Sequence, residues 1–97
     1  TALGLQPWRF SIITNRDVLK RVNDEVKQVC LAMIGQVPEM ERLRPALESP
    51  DYDIFYGAPA LVVIQGPSGD QAGLLDCLLA AENMILAAHA KGLGTCF

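Results

Sequence analysis

Side chains that could do catalysis are scarce in this sequence. It has one histidine, His89, and no serine in a Gly-x-Ser-x-Gly elbow, so a hydrolytic triad lacks both its base and its activated nucleophile. Cys30, Cys77 and Cys96 are odd in number and far apart, which excludes zinc or iron–sulfur spacing and a disulfide framework. Their apolar neighbours predict buried free thiols in a reducing compartment, and so a cytoplasmic protein. Charge is sparse as well. Charged residues make up 20% of the chain, the net charge is −3 and no basic run occurs, so the electrostatic footprint of a nucleic-acid partner is missing. The chain does not open on the charged and apolar segments of a secretory signal. Its longest apolar stretch, 74–90, is broken by Asp76, Glu82, Asn83 and His89, which argues against a membrane span.

Apolar residues are plentiful, at 51% of 97 positions. That balance predicts one folded domain, 1–97, with a modest core and some apolar surface left for a partner. Residues 8–13 read as a short strand, with Pro7 tolerated at its start. Asn15 or Asp17 then caps a helix whose stripe is Val18, Leu19, Val22, Val26, Val29 and Met33. Arg16, Lys20, Asp24 and Lys27 form its solvated side. Gly35 and Pro38 end that helix, and Pro38 opens a shorter one. Residues 46–53 read as a polar, Pro-broken loop, and Gly57-Ala58-Pro59 as a bend. The run 60–64 predicts a strand buried on both faces. After the turn 66–69, Asp70 caps a helix over 71–91, with Gly92 as its C′ residue and a further strand beginning at Gly94. His89, one turn from that helix end, suits the dipole there. Gly92-Leu93-Gly94 follows a helix and precedes a strand, the reverse of a dinucleotide fingerprint.

The most distinctive segment is the opening one, Thr1-Ala2-Leu3-Gly4-Leu5-Gln6-Pro7-Trp8-Arg9-Phe10. Small residues and a glycine run through a rigid Gln-Pro step into a strand, an arrangement that lets backbone approach a planar ligand. Alone, Gln6-Pro7-Trp8 reads first as a strand-opening turn with a packing tryptophan. Two later segments complete a pattern: 54–63, Ile-Phe-Tyr-Gly-Ala-Pro-Ala-Leu-Val-Val, and Asp76-Cys77 through Glu82-Asn83-Met84 into Gly92-Leu93-Gly94-Thr95-Cys96-Phe97. In this order they resemble the FMN-dependent nitroreductase family over nearly the whole chain, most weakly over 37–53.

The resemblance implies an α+β fold, with a central mixed sheet flanked by helices, present as a partial domain. It implies an intertwined homodimer holding FMN at its interfaces. NAD(P)H would reduce the flavin, which then passes electrons to a nitro compound, quinone or similar small-molecule acceptor, so the cofactor carries the chemistry and the protein needs no acid, base or nucleophile. Carried over by position, Thr1, Ala2, Leu3, Gly4 and Gln6 are the cofactor-binding residues, with no catalytic side chain and no metal. Leu3 would lie near the substrate and nicotinamide face. Gly4 replaces the family's usual Asn and removes an amide from beside the ring. Asp51 and Asp53 lie where some relatives place a polar flavin contact, and read otherwise as a solvated loop. Ala80, Asn83, Ala87 and Ala90 form a small-residue face for close helix approach at the dimer core. Asp76 and Glu82, costly to bury unpaired, are expected to have partners. The family's phosphate-binding segment would lie upstream of Thr1 and its flavin N5 contact downstream of Phe97, so these 97 residues are expected to bind FMN weakly or not at all by themselves. The alternative is a non-catalytic or truncated dimerisation module of the same fold.

Overall fold

A computed structural model describes residues 2–97. Its elements run β1 (Arg9–Ile13), α1 (Arg16–Met33), two 3-10 segments (Ile34–Gln36 and Pro38–Leu43), α2 (Arg44–Glu48), β2 (Leu61–Gln65) and α3 (Gln71–Ala90), after a 3-10 turn at Ala2–Gly4. β1 and β2 pair as a two-stranded sheet. The class is α+β. The chain forms two compact units, one comprising residues 2–11 with Val62–Phe97, the other Ile12–Leu61.

In the Ile12–Leu61 unit, Asn15 caps α1, its side-chain oxygen accepting from the amides of Asp17 at 2.9 Å and Val18 at 3.1 Å. Pro38 opens a 3-10 segment rather than an α-helix, and Pro45 then stands in the first turn of α2, where its missing N–H costs nothing. The expected loop therefore starts at Ser49, not Ala46. Leu19, Ile34 and Leu47 are the buried apolar residues here. The buried side of α1 differs from the expected stripe: Leu19, Asn23 and Lys27 are covered, while Val18, Val26, Val29 and Met33 are exposed. The i, i+4 row through Leu19 faces the returning segment 49–57, and that segment offers backbone polar groups. The covered row is therefore mostly polar.

In the other unit, Asp70 caps α3 by accepting from the Ala72 amide at 3.0 Å. Gly92, at φ +78°, closes its far end. The Leu93 amide reaches Ala88 O at 2.9 Å and the Gly92 amide reaches His89 O at 3.0 Å, the paired bonds of a Schellman cap. Beyond it, 94–97 carries no strand. The expected strand there fails because no backbone partner aligns with it among the described residues. β2 is not enclosed on both faces as expected: Leu61, Val63 and Ile64 are half-buried while Val62 and Gln65 are exposed, and β1 is its one strand neighbour.

The covered stripe of α3 consists of Gly73, Asp76, Cys77 and Ala81. Asp76 is buried and has a partner, as expected for a carboxylate out of water. Glu82 is exposed, so the premise of burial does not hold for it. Small residues lie inside because the turn 66–69 comes very close. A Cβ on Gly73 would stand 2.9 Å from Pro67 Cδ, and one on Gly66 would stand 3.0 Å from Cys77 Sγ. Gly73→Ala is accordingly expected to lower the melting temperature. Overpacking against a proline ring costs about 1–3 kcal/mol, more than the roughly 1 kcal/mol that alanine brings to a helix. Thermal unfolding followed by circular dichroism checks this, and a higher melting temperature would show that Pro67 yields.

The leucines of α3 lie on its open side: Leu74, Leu75, Leu78, Leu79 and Leu86 are all exposed. Ala80 is half-buried, while Asn83, Ala87 and Ala90 are exposed. The helix is long and apolar enough to cross a membrane by length and composition. The thiols are all free, but only Cys77 is buried; Cys30 is half-buried and Cys96 exposed, which corrects the expectation for two of the three. Cys96 follows the helix cap on an uncovered segment, so its apolar neighbours do not enclose it.

Candidate functional site

The opening loop has an uncommon backbone. Leu3, Gly4 and Gln6 take φ values of +57°, +66° and +47°. For the two residues that carry a Cβ, this conformation costs about 1–2 kcal/mol each, and such strain gathers where a backbone is shaped for a ligand. Pro7 and Trp8, both half-buried, anchor the loop's end before β1 begins at Arg9. The loop itself projects, with Leu3 93% and Leu5 71% exposed. A Cβ placed on Gly4 would meet no atom within 4 Å. Gln6 is exposed and has a partner. Of the other expected site residues, Ala2 opens the 3-10 turn with Leu3 and Gly4, and Thr1 lies outside the described residues. The structure thus places Ala2, Leu3, Gly4 and Gln6 on one short, strained, open stretch. Such a wall offers backbone groups and apolar contact to a flat ring, and no proton donor or acceptor with catalytic strength.

A second cluster, in the Ile12–Leu61 unit, escaped the sequence reading. Lys27, expected in solvent, is only 6% exposed. Its ammonium donates to the carbonyls of Ser49 at 2.6 Å and Tyr52 at 2.9 Å, and stands 6.0 Å from the Tyr52 ring centroid. One turn earlier on α1, Asn23 Oδ1 accepts from the Ile54 amide at 2.9 Å. The spacing Leu19, Asn23, Lys27 was the available signal, since residues four apart share a helix face. Its partners are main-chain carbonyls and an amide some 22 to 31 positions away, which no side-chain pattern encodes.

Asp53 has a structural task that accounts for its place in the segment. Its carboxylate accepts from the amides of Phe55 and Gly57, each at 2.8 Å, and its carbonyl accepts from Tyr56 N at 3.1 Å. Tyr56 and Gly57 both have positive φ, and Ala58 N bonds Phe55 O at 2.9 Å. That is a type I′ turn with tyrosine at a position that prefers Asn or Gly. Tyr56 is 72% exposed, with its ring edge-on to Tyr52 at 6.5 Å. Asp51 remains on the surface, its amide donating to Ser49 Oγ at 3.4 Å.

Between α1 and this segment lies an open cleft of about 330 Å³, with Arg16, Lys20 and Asp24 on one side and Asp51, Phe55 and Pro59 on the other. Lys20 and Asp24 pair at 2.8 Å. The hydrogen bond from Lys20 holds the Asp24 carboxyl below the usual aspartate range. The hydrogen bond with Tyr56 raises Tyr52, whose phenol keeps its proton to higher pH than usual. Among the described residues, no group of three or more His, Cys, Asp or Glu is placed to hold a metal.

The family model described as Nitroreductase family matches residues 1–97. The chain belongs to the nitroreductase family. Its structure is similar to that of a nitroreductase with bound FMN from Bacteroides fragilis, at a TM-score of 0.78 and 27% identity over 95% of this chain. The chain spans 46% of the length of that structure, about half of a nitroreductase. Comparison with curated proteins finds no significant match. The nitroreductase resemblance drawn from the three motifs is thereby borne out, as are the α+β class and the reading of the chain as part of a nitroreductase fold.

Proposed function

We propose that this nitroreductase chain is part of a flavin-dependent oxidoreductase and that residues 1–6 form one wall of its FMN pocket. What carries the reading is the combination of family membership with a loop whose backbone is left-handed at three positions and open over Gly4. The loop fits FMN on its own geometry. A flat ring can approach where Gly4 has no Cβ, with Leu3 and Leu5 exposed beside it for apolar contact. Bound there, FMN supplies two-electron chemistry, with NAD(P)H as donor and a nitro compound, quinone or similar small molecule as acceptor. The chain's own part is to shape the site, cover one ring face and exclude water. The open leucine face of α3 supports a homodimer, because a soluble protein rarely leaves so long an apolar row uncovered. Asp76, Glu82 and His89 on that helix favour a second copy over lipid. Three free thiols fit a cytoplasmic setting.

The test is spectroscopic. The whole oxidoreductase of which this chain is part is expected to quench FMN fluorescence on titration and, with FMN present, to oxidise NADH or NADPH when a quinone or nitroarene is added, whereas these 97 residues alone should do so weakly or not at all. A colourless protein that leaves FMN fluorescence unchanged and ignores both nicotinamides would replace this reading with that of a dimerisation module. Gly4 at the position of the family's usual Asn is the observation that favours that second reading.

A further inference from the structure

We infer that residues 49–59 form a strap latched to α1 by polar side chains, and that the strap opens and closes as a unit over the face bearing Leu19, Asn23 and Lys27. The attachment consists of three long-range hydrogen bonds: Lys27 Nζ to Ser49 O and Tyr52 O, and Ile54 N to Asn23 Oδ1. Apolar anchoring is slight. Tyr52, Ile54 and Phe55 are half-buried, while Pro50, Tyr56, Ala58 and Pro59 are exposed. Alongside the latch, strap and α1 stand apart at the open cleft.

The strap also holds its own shape. The Asp53 carboxylate closes the turn through Phe55 N and Gly57 N, Ala58 N bonds Phe55 O, and Tyr52 N bonds Ser49 O at 3.3 Å. None of these bonds involves α1. Lifting the strap therefore breaks the latch and leaves the turn intact. It also returns Lys27 and Asn23 to water instead of stranding them, and that recovered hydration makes the opening far less costly than global unfolding. A strap held by apolar packing would lack this property, since its release would expose oily surface. The opening widens the cleft and bares a cationic side chain on α1.

Amide hydrogen exchange by NMR tests the inference. In the unaltered protein, the Ile54 amide is expected to exchange through an opening less sensitive to low urea than that of amides inside α1. Lys27→Met removes the ammonium but keeps the chain length. It is expected to speed exchange at Ile54 by about tenfold or more, as loss of hydrogen bonds from a charged donor implies, and to leave Gly57 and Ala58 within about twofold. Equal acceleration at Ile54, Gly57 and the interior of α1 would overturn the inference, as would no change at Ile54. If Lys27→Met fails to fold, the unaltered protein decides: the same urea dependence for Ile54 and for amides inside α1 would rule out a separate opening.

Discussion

Asp53→Ala is expected to destabilise the protein by about 2 kcal/mol, the size of effect that follows from losing two hydrogen bonds to a partly solvated carboxylate. The reason lies in Tyr56. A tyrosine at φ +53° resists that conformation by about 1–2 kcal/mol, and the turn persists because Asp53 binds the amides on both sides of it. Without the carboxylate, Phe55 N and Gly57 N turn to water and Tyr56 relaxes toward negative φ. Asp53→Asn, which keeps a single acceptor oxygen, should lose about half as much. Urea unfolding measures both variants. A loss under about 0.5 kcal/mol for Asp53→Ala, the range typical of an ordinary surface change, would show that the turn does not depend on its carboxylate.

Gly4 is expected to give the largest effect on cofactor binding, and in opposite directions for two substitutions. Gly4→Val places a β-branched residue at φ +66°, where such residues are outliers, and sets its methyl groups where the proposed ring approaches. FMN affinity should fall by about ten- to a hundredfold, the equivalent of the roughly 1–3 kcal/mol that overpacking a close contact costs. Gly4→Asn behaves otherwise. Asparagine tolerates left-handed backbone, its side chain has room because no atom lies within 4 Å of the Cβ position, and its amide can hydrogen-bond a ring edge. Affinity should hold or rise up to about tenfold, the value of one added hydrogen bond. Fluorescence titration of the whole oxidoreductase with FMN separates the two. Equal affinity for both variants would remove the opening loop from the flavin site while leaving family membership untouched.

The polar row on α1 shows why part of the architecture was hidden. Val18, Leu19, Val22, Val26, Val29 and Met33 follow helical spacing and read as a buried stripe, yet four of the six are exposed and only Leu19 is fully buried. Lys27 reads as solvated, yet it is buried on two backbone carbonyls. Periodicity reports that a helix has faces; it does not say which face a distant segment will cover. Local signals fared better, because their physics is local. Asn15 and Asp70 cap the helices that follow them, and Gly92 closes α3, since each bond spans only a few residues.

Sequence by itself determined the family, the α+β class, the caps of α3 at Asp70 and Gly92, and a cap of α1 at Asn15 or Asp17, because short motifs and capping chemistry need only near neighbours. Tertiary structure alone decided that Leu3, Gly4 and Gln6 are left-handed, that small residues rather than leucines form the covered side of α3, and that Lys27 and Asn23 hold 49–59 in place. Those outcomes depend on backbone groups and close approaches brought together from far along the chain. Main-chain carbonyls are the same at every position, so nothing in the order of residues marks which of them a buried lysine will meet.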